Sequence, residues 1–374
     1  MELSAGSMLD ERLRLVEPIH RGDAASVWLA SDVTDGNVVA VKLISPEQLV
    51  GDPVALERFA REGVATARVA SRHVVRVLRH GSSRAGIPYI VMERLLGESL
   101  AARLVREGRL APEAVAVLVT ELGRGLADIH AEGIVHRDLQ PSNVVCSDEG
   151  GTHVWKLLDF GVAKVTRRAS AGDASAREDL TLPGKLIGSP VYLSPEQVSA
   201  RPVTPMLDLW GLAVIAYQAL TGKLPFDGDA PARVFTAILQ TRHAPPSTLV
   251  PELPPEVDAF FLRAFHRDPA QRFASGPELA AAFGEALAPL ARARAAAAAA
   301  ELATAAERSG RRPGGRAPDR AARGGRSPVI AVLCAVAVGG ALGLLGLVLY
   351  RRALPVEPGA AAPGTSDATT AATR

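Results

Sequence analysis

The chain has 374 residues, of which 48% are hydrophobic and 22% charged, so it can bury a sizeable core and exceeds one minimal domain. Its formal net charge of only +2 gives no electrostatic case for a nucleic-acid partner. The two cysteines, Cys146 and Cys334, lie too far apart for metal-binding spacing and are too few for a disulfide framework, which favours a reducing compartment.

The segment from residue 11 to about 110 is predicted to form mainly strands. Asp35 and Gly36 form a hairpin signal, and residues 52–70 carry the apolar spacing of a helix. Alternating or β-branched apolar positions predict strands at 12–21, 25–32, 37–44 and 88–95.

Beyond residue 98 the pattern becomes helical. Residues 208–222 are apolar nearly all round and end at a glycine, which predicts a buried helix. The folded part is expected to end near residue 286, before an Ala-rich, helix-permissive stretch that passes into a basic Gly/Pro linker at 287–328. One long helix is predicted from the i, i+3, i+4, i+7 spacing of Val115, Leu118, Val119, Leu122, Leu126 and Ile129.

A strand-rich front and a helical back, joined by a polar loop, predict an α+β fold of two lobes. The cleft between two such lobes is the usual place for a ligand. We therefore expect the functional residues to converge at this junction.

A candidate membrane span lies near the C-terminus. Residues 329–350 contain no charge over 22 positions, which as a helix extends about 33 Å, enough to cross the hydrocarbon core. Arginines are concentrated before this segment, so residues 1–328 are expected in the cytoplasm and 351–374 as a short disordered extracytoplasmic tail. Gly339 and Gly343 form a small-residue pair that would suit a homodimer, although such pairs are common in Gly-rich spans.

Lys42 ends an apolar strand pattern, and a lone lysine in that place is most often solvated. Glu62 follows 20 residues later on the predicted helix. A lysine held by a glutamate presents a fixed positive charge to phosphates, and Glu57 could compete for the same pairing.

Three oxygen-bearing side chains follow in two polar loops, Asp138 and Asn143 in the first and Asp159 in the second. Each could be an ordinary turn residue. Together they suit a hard cation such as Mg²⁺ plus a general base. Phosphoryl transfer depends mainly on positioning and charge neutralisation, so this set predicts a phosphoryl-transfer site.

Taken in chain order, these motifs resemble the signature of protein kinases. The chain reads VAVK at 39–42, HRDLQPSN at 136–143, DFG at 159–161 and SPE at 194–196. Two later landmarks agree, at 208–226 and 268–273, so the resemblance covers roughly residues 11–286. With the linker and the single span, the chain resembles the membrane-anchored, eukaryotic-like serine/threonine kinases of bacteria.

The resemblance implies a role for each catalytic position. Lys42 would hold the α- and β-phosphates of ATP and would be placed by Glu62. Asp138 would accept the proton of a substrate hydroxyl. Asn143 and Asp159 would hold Mg²⁺, with Mn²⁺ as the alternative ion.

The resemblance also implies a nucleotide pocket and a structural frame. Met92 would stand at the back of the adenine site, and the backbone of Glu93 to Leu95 would bond the base, with Gly22, Val27, Ala40, Lys42 and Asp159 completing the site. Glu196 would pair with Arg272, and Asp208 would brace the catalytic loop. Gln140 and Ser189 resemble serine/threonine rather than tyrosine kinases.

The segment 159–196 corresponds to the activation segment of the family. Its phosphorylation, at Thr181 or at Thr166, Ser170 or Ser175, would place a phosphate against Arg137 and order the segment. An ordinary polar loop is the alternative for each single site.

Two departures from the family pattern bear on activity. His20 and Ala25 replace outer glycines of the Gly-rich loop, which is expected to weaken nucleotide binding. Gln140 replaces a lysine that would meet the γ-phosphate, an expected loss of about 1–3 kcal/mol, or roughly 10- to 100-fold in rate. The alternatives are therefore an active kinase with protein substrates, a membrane-anchored pseudokinase scaffold and, with less support, a small-molecule phosphotransferase.

Overall fold

The computed structural model describes residues 4–22, 25–44, 66–83, 86–158 and 190–310. Residues up to Ala306 belong to one compact unit. Several predictions lie outside the described residues: the helix at 52–65, the segment 159–189, the basic linker from 311 and the candidate span at 329–350. The predicted domain boundaries therefore stay predictions.

The N-terminal lobe is a five-stranded antiparallel sheet with strand order β1-β2-β3-β5-β4. Gly36 has a φ of +74° and donates its N–H to the carbonyl of Asp32 at 2.8 Å, which confirms the predicted hairpin turn. The four predicted strands are present, together with β4 (Val77–Ser82), whose sequence VLRHGS shows no apolar alternation. The strands are β1 Leu13–Arg21, β2 Ala25–Asp32, β3 Val38–Ile44, β4 Val77–Ser82 and β5 Pro88–Glu93.

Strand periodicity gives this sheet two apolar faces, because alternate residues point to opposite sides. Trp28, Val41 and Val91 pack on the outer face, where the N-terminal segment covers them with Leu9. Asp10 of that segment accepts a hydrogen bond from the Tyr89 hydroxyl at 2.5 Å. Burial and this hydrogen bond raise the pKa of Tyr89 to about 12. The opposite, inner face of the sheet faces the cleft between the lobes.

The C-terminal lobe is built around two buried helices. The six apolar positions predicted for the long helix are all fully buried on α2, Pro112–Ala131. The helix α4, Met206–Thr221, is buried nearly all round and ends at Gly222, which has a φ of +72°. Both helix predictions are confirmed. Within the described residues the helices are α1 Leu100–Glu107, α2 Pro112–Ala131, α3 Pro195–Val198, α4 Met206–Thr221, α5 Pro231–Gln240, α6 Pro246–Leu249, α7 Pro255–Ala264 and α8 Gly276–Gly310.

A small sheet joins the two lobes. It consists of β6 Gly97–Ser99, β7 Val144–Asp148 and β8 His153–Leu157, all antiparallel in that order. A short 3₁₀ turn at Pro141–Asn143 leads directly into β7. This connection places the motif at 136–143 at the edge of the cleft.

The last helix, α8, runs through the predicted boundary at residue 286 and continues to Gly310. The Ala-rich stretch that the sequence marked as helix-permissive is therefore helical as far as the structure describes it. No helix within the described residues is long and apolar enough to cross a membrane.

Candidate active site

The loop that carries Asp138 is braced from the buried helix α4. The carboxylate of Asp208, only 1% exposed, accepts hydrogen bonds from the backbone N–H groups of His136 and Arg137, both at 2.8 Å. His130, at the end of α2, contacts the same carboxylate through Nε2 at 2.7 Å. The brace expected at Asp208 is thus present, and it fixes the backbone immediately before Asp138.

Arg137 has a φ of +66°, a left-handed conformation that costs a non-glycine residue free energy. The surroundings hold this conformation at both ends of the residue. Its N–H donates to Asp208, and its carbonyl accepts a hydrogen bond from Nε2 of Gln197 at 3.0 Å. Gly211 lets α4 approach closely, because a Cβ atom there would lie 3.0 Å from Cβ of Leu139. Within this loop the strained residue is Arg137, which directly precedes Asp138 and orients its side chain.

The carboxylate of Asp138 is held by two neighbouring amides. Gln140 donates from Nε2 to both carboxylate oxygens, each at 3.2 Å. Asn143 donates from Nδ2 to the Asp138 carbonyl at 2.8 Å and to Oδ2 at 3.3 Å. The sequence predicted that the Gln140 side chain would face a phosphate. In the structure its amide instead donates to the carboxylate of Asp138, the candidate base.

The same contacts leave Asn143 suited to a cation. Both of its hydrogen bonds use the amide nitrogen, so Oδ1 is the atom that can ligate a metal ion. The carbonyl of Asn143 accepts from the N–H of Leu158 at 2.8 Å. Nε2 of the fully buried His136 lies 2.7 Å from the Leu158 carbonyl. These bonds bring Asn143 beside the residue that precedes Asp159, which itself lies outside the described residues.

Apolar residues expected around a base lie together on the inner face of the N-terminal sheet, and we name this group the apolar pocket. Four predicted residues, Val27, Ala40, Met92 and Leu95, belong to one apolar cluster. Ala40 pairs with Met92 across the β3–β5 ladder, so both side chains point the same way. Sequence reasoning missed four further members of the cluster, Val75, Val77, Ile90 and Leu158. Because residues two apart in a strand point to the same face, the prediction for Met92 could have identified Ile90 as well.

Lys42 lies on this inner face. It is opposite Val27 in the β2–β3 ladder and opposite Ile90 in the β3–β5 ladder. Its expected partner Glu62, like Glu57, lies outside the described residues. The position of Lys42 beside the pocket is what a phosphate-binding lysine requires.

Gly22 closes the turn between β1 and β2 above the pocket. Its N–H donates to the carbonyl of Ala25 at 3.0 Å, and a Cβ atom on it would lie 3.2 Å from Nε2 of His20. The exposed His20 side chain therefore packs against the turn. Residues 23–24, at its tip, lie outside the described residues.

The side chain of Glu93 does not face the pocket. Its Oε1 accepts hydrogen bonds from Nζ of Lys156 at 2.8 Å and from the N–H of Arg76 at 3.0 Å. The backbone N–H of Glu93 donates to the carbonyl of Arg76 at 3.0 Å, so the predicted bond from this residue to a base would have to use its carbonyl. Lys156, which sequence reasoning missed, also contacts Glu149 at 3.0 Å, and this hydrogen bond lowers the pKa of Glu149.

A second buried ion pair supports the C-terminal lobe. Arg272 donates to both carboxylate oxygens of Glu196, at 2.8 and 3.1 Å, with both side chains at most 6% exposed. The guanidinium carbon also lies 4.8 Å from the ring centroid of Trp210. The expected pair is present and structural. The phosphorylation candidates Thr166, Ser170, Ser175 and Thr181 lie outside the described residues, as does Ser189.

Comparisons with known proteins agree with this geometry. The family model described as "Protein kinase domain" matches residues 13–282. The chain is 37% identical over 272 residues to the serine/threonine-protein kinase drp72 of Corynebacterium efficiens, covering 71% of this chain and 48% of the relative. It is 34% identical over 280 residues to serine/threonine-protein kinase PknA of Mycobacterium tuberculosis, covering 74% and 61%.

A solved structure shows the same fold. The kinase domain of Mycobacterium tuberculosis PknI matches with a TM-score of 0.59 at 24% identity, over 76% of this chain and 100% of that domain. The two lobes described above are therefore the bilobal kinase architecture. The chain spans about half the length of the curated relatives it matches.

Proposed function

This chain belongs to the protein kinase family, and from that premise we propose that it transfers the γ-phosphoryl group of Mg²⁺-ATP to serine or threonine hydroxyls of proteins. The observation that carries the proposal is the braced loop at 136–143. There a strained, doubly held Arg137 positions Asp138, and Asn143 follows with its amide oxygen available to a cation.

Each described residue has a defined task in this reaction. Asp138 accepts the proton of the attacking hydroxyl, a role that requires the carboxylate to lie within hydrogen-bond reach of the substrate. Lys42 holds the nucleotide phosphates beside the pocket. The apolar cluster around Ala40 and Met92 encloses the base and excludes water from it. Mg²⁺, when bound by Asn143 and Asp159, supplies charge neutralisation at the phosphates.

Serine and threonine as acceptors are supported by the names of the relatives and by Gln140. The relatives at 31–37% identity are named serine/threonine-protein kinases. An amide two places after Asp138, where serine/threonine kinases usually carry a lysine, still offers hydrogen-bond donors.

Regulation by autophosphorylation of the segment 159–196, with Thr181 favoured, is a further part of the proposal. Within the described residues, the buried Nε of Arg137 has no hydrogen-bond partner. A buried, charged donor without a partner is costly and would gain from a phosphate. The buried Nε of Arg137 thus supports a phosphorylated residue as its partner.

The proposal for the localisation of the protein rests on the sequence alone. We propose a single-pass protein of the cell membrane, anchored through 329–350, with the kinase domain in the cytoplasm. Self-association through Gly339 and Gly343 would give a homodimer.

The alternative is a membrane-anchored pseudokinase scaffold. It is favoured by two features, the Gln140 amide on Asp138 and the loss of outer glycines at His20 and Ala25. Retention of Lys42, Asp138 and Asn143 favours catalysis, because a scaffold needs none of them for binding a partner.

Autophosphorylation of the full-length chain with labelled Mg²⁺-ATP tests the proposal directly. Asp138→Asn is expected to lower the rate about 10²- to 10⁴-fold, the usual contribution of a general base. Asp128→Asn, an exposed acid on α2, is the matched control and should label like the wild type.

Two outcomes would contradict this assignment. Equal labelling of Asp138→Asn and wild type would remove Asp138 from the reaction. If neither were labelled on the chain or on an added protein substrate, while a fluorescent ADP analogue still bound, the scaffold would be the better description.

A further inference from the structure

The two lobes are joined by the linker Glu93–Gly97, which runs from the last residue of β5 to the first residue of β6. Leu95 of this linker packs against the apolar pocket. Under the proposed function, the backbone of residues 93–95 bonds the adenine base, so nucleotide affinity depends on where this backbone lies. Both ends of the linker are held by main-chain bonds, and the N-terminal end is also held by an ion pair.

The C-terminal end of the linker is fixed by backbone contacts. Gly97 pairs with Ser147 in the β6–β7 ladder, and the carbonyl of Leu96 accepts from the N–H of Asp148 at 2.7 Å. A Cβ atom at Gly97 would lie 1.8 Å from the carbonyl oxygen of Cys146. This end is held by the main chain and needs no side chain at residue 97.

The N-terminal end is held by the pairing of Glu93 with Val39 and by the bond from its N–H to the Arg76 carbonyl at 3.0 Å, and in addition by a buried ion pair of its side chain. Nζ of Lys156 lies 2.8 Å from Oε1 of Glu93, and the lysine side chain is only 6% exposed. Lys156 belongs to β8 of the small sheet, whereas Glu93 ends β5 of the N-terminal sheet. The ion pair therefore connects the small sheet to the N-terminal sheet.

The ion pair is part of a neutral set of four charges. Lys156 also contacts Glu149 at 3.0 Å, and Nε of Arg72 contacts the second oxygen of Glu149 at 2.9 Å. A buried ammonium is costly unless it is paired, so this arrangement favours the lobe geometry in which Glu93 meets β8.

We propose that Lys156 is a positioning residue for the nucleotide. Through Glu93 it fixes the linker backbone against the pocket without touching the ligand itself. Its removal will weaken nucleotide binding far more than it slows phosphoryl transfer. The inference rests on the proposed function only in naming the ligand as a nucleotide.

The test uses the full-length chain with Lys156→Met, which keeps the length of the side chain and removes its charge. Because residues in contact are energetically coupled, we expect a rise of about tenfold in KM for ATP and in Kd for a fluorescent ADP analogue. The expected change in kcat is less than about threefold. Arg263→Met, which breaks an exposed pair with Glu278 on α7 and α8, is the control and should change neither.

A double variant separates positioning from stability. Lys156→Met alone leaves the Glu93 carboxylate without its ammonium partner, so the melting temperature should fall. Lys156→Met combined with Glu93→Gln should recover melting temperature, yet still bind nucleotide weakly. Nucleotide affinity that returns together with stability, or that never changed, would overturn the inference.

Hydrogen exchange of the protein without nucleotide keeps this result independent of catalysis. Lys156→Met should speed amide exchange in residues 93–96 and leave the control helix α2 unchanged. If the wild type binds no nucleotide, the proposed function fails, but faster exchange at 93–96 would still support the positioning role. Unchanged exchange there would reject it.

Discussion

The floor and the roof of the cleft are built in different ways. The floor is the loop at 134–145, whose backbone is held by the buried carboxylate of Asp208, by Gln197 and by the contact of His136 with Leu158. The roof is the β1–β2 turn, where the N–H of Gly22 donates to the carbonyl of Ala25 and Arg21 pairs with Ser26, with β1 exposed beyond Leu15.

This difference matches what each part must do. A general base acts only within hydrogen-bond reach of the proton it accepts, so small displacements of the floor are costly. A roof over phosphates needs close approach but can adjust its position. His20 and Ala25, which replace glycines of the family pattern, fall in the roof, whereas the floor departs from the pattern at Gln140 and keeps Asp138 and Asn143.

Removing the brace of the floor should have the largest effect. Asp208→Ala leaves the buried N–H groups of His136 and Arg137 without an acceptor, which we expect to lower the free energy of unfolding by roughly 3–5 kcal/mol. The relaxed loop would misplace Asp138 and slow phosphoryl transfer by about 10²-fold. Urea unfolding and labelled ATP turnover measure the two effects.

Asp258→Ala is the matched control, because Asp258 also accepts a backbone hydrogen bond, from Ser247 at 2.9 Å, but lies on α7 away from the cleft. It should lower stability and leave the rate per folded molecule unchanged. A fully active Asp208→Ala would show that the floor does not need its brace.

Restoring the family residue in the floor should have the next largest effect. Gln140→Lys places an ammonium beside Asp138 and the expected γ-phosphate, where the present amide contributes only dipolar bonds. The expected gain in kcat is roughly 10- to 100-fold. Single-turnover transfer from ATP measures it, with Gln140→Met as a variant that offers neither charge nor donor. No gain would mean that Gln140 does not limit the rate.

Restoring a glycine in the roof should have the smallest effect. Ala25→Gly removes a Cβ atom at the start of β2 and frees the turn, and we expect KM for ATP to fall by a factor of about 2–3. Unfolding stability should change by less than about 1 kcal/mol, the usual cost of glycine in a regular element. A larger effect here than at Gln140 would reverse the comparison between floor and roof.

The sequence predicted much of the fold and most of the site that the structure describes. Strong periodicity found four strands of the N-terminal sheet and the helices α2 and α4. β4 was missed because its sequence, VLRHGS, has large apolar residues only at its first two positions, so it shows no apolar alternation. Lys156 escaped because a lysine in a short apolar strand looks solvated until a partner from another strand is known.

The amino-acid sequence by itself determined the order of the chemical groups and the faces of the elements, because hydrophobic periodicity and motif spacing are local properties of the chain. Only the tertiary structure decided which distant polar groups meet: Asp208 with the backbone of residues 136–137, Glu196 with Arg272, and Lys156 with Glu93. These contacts span 63 to 76 residues, and they form because a polar group buried during folding must find a partner.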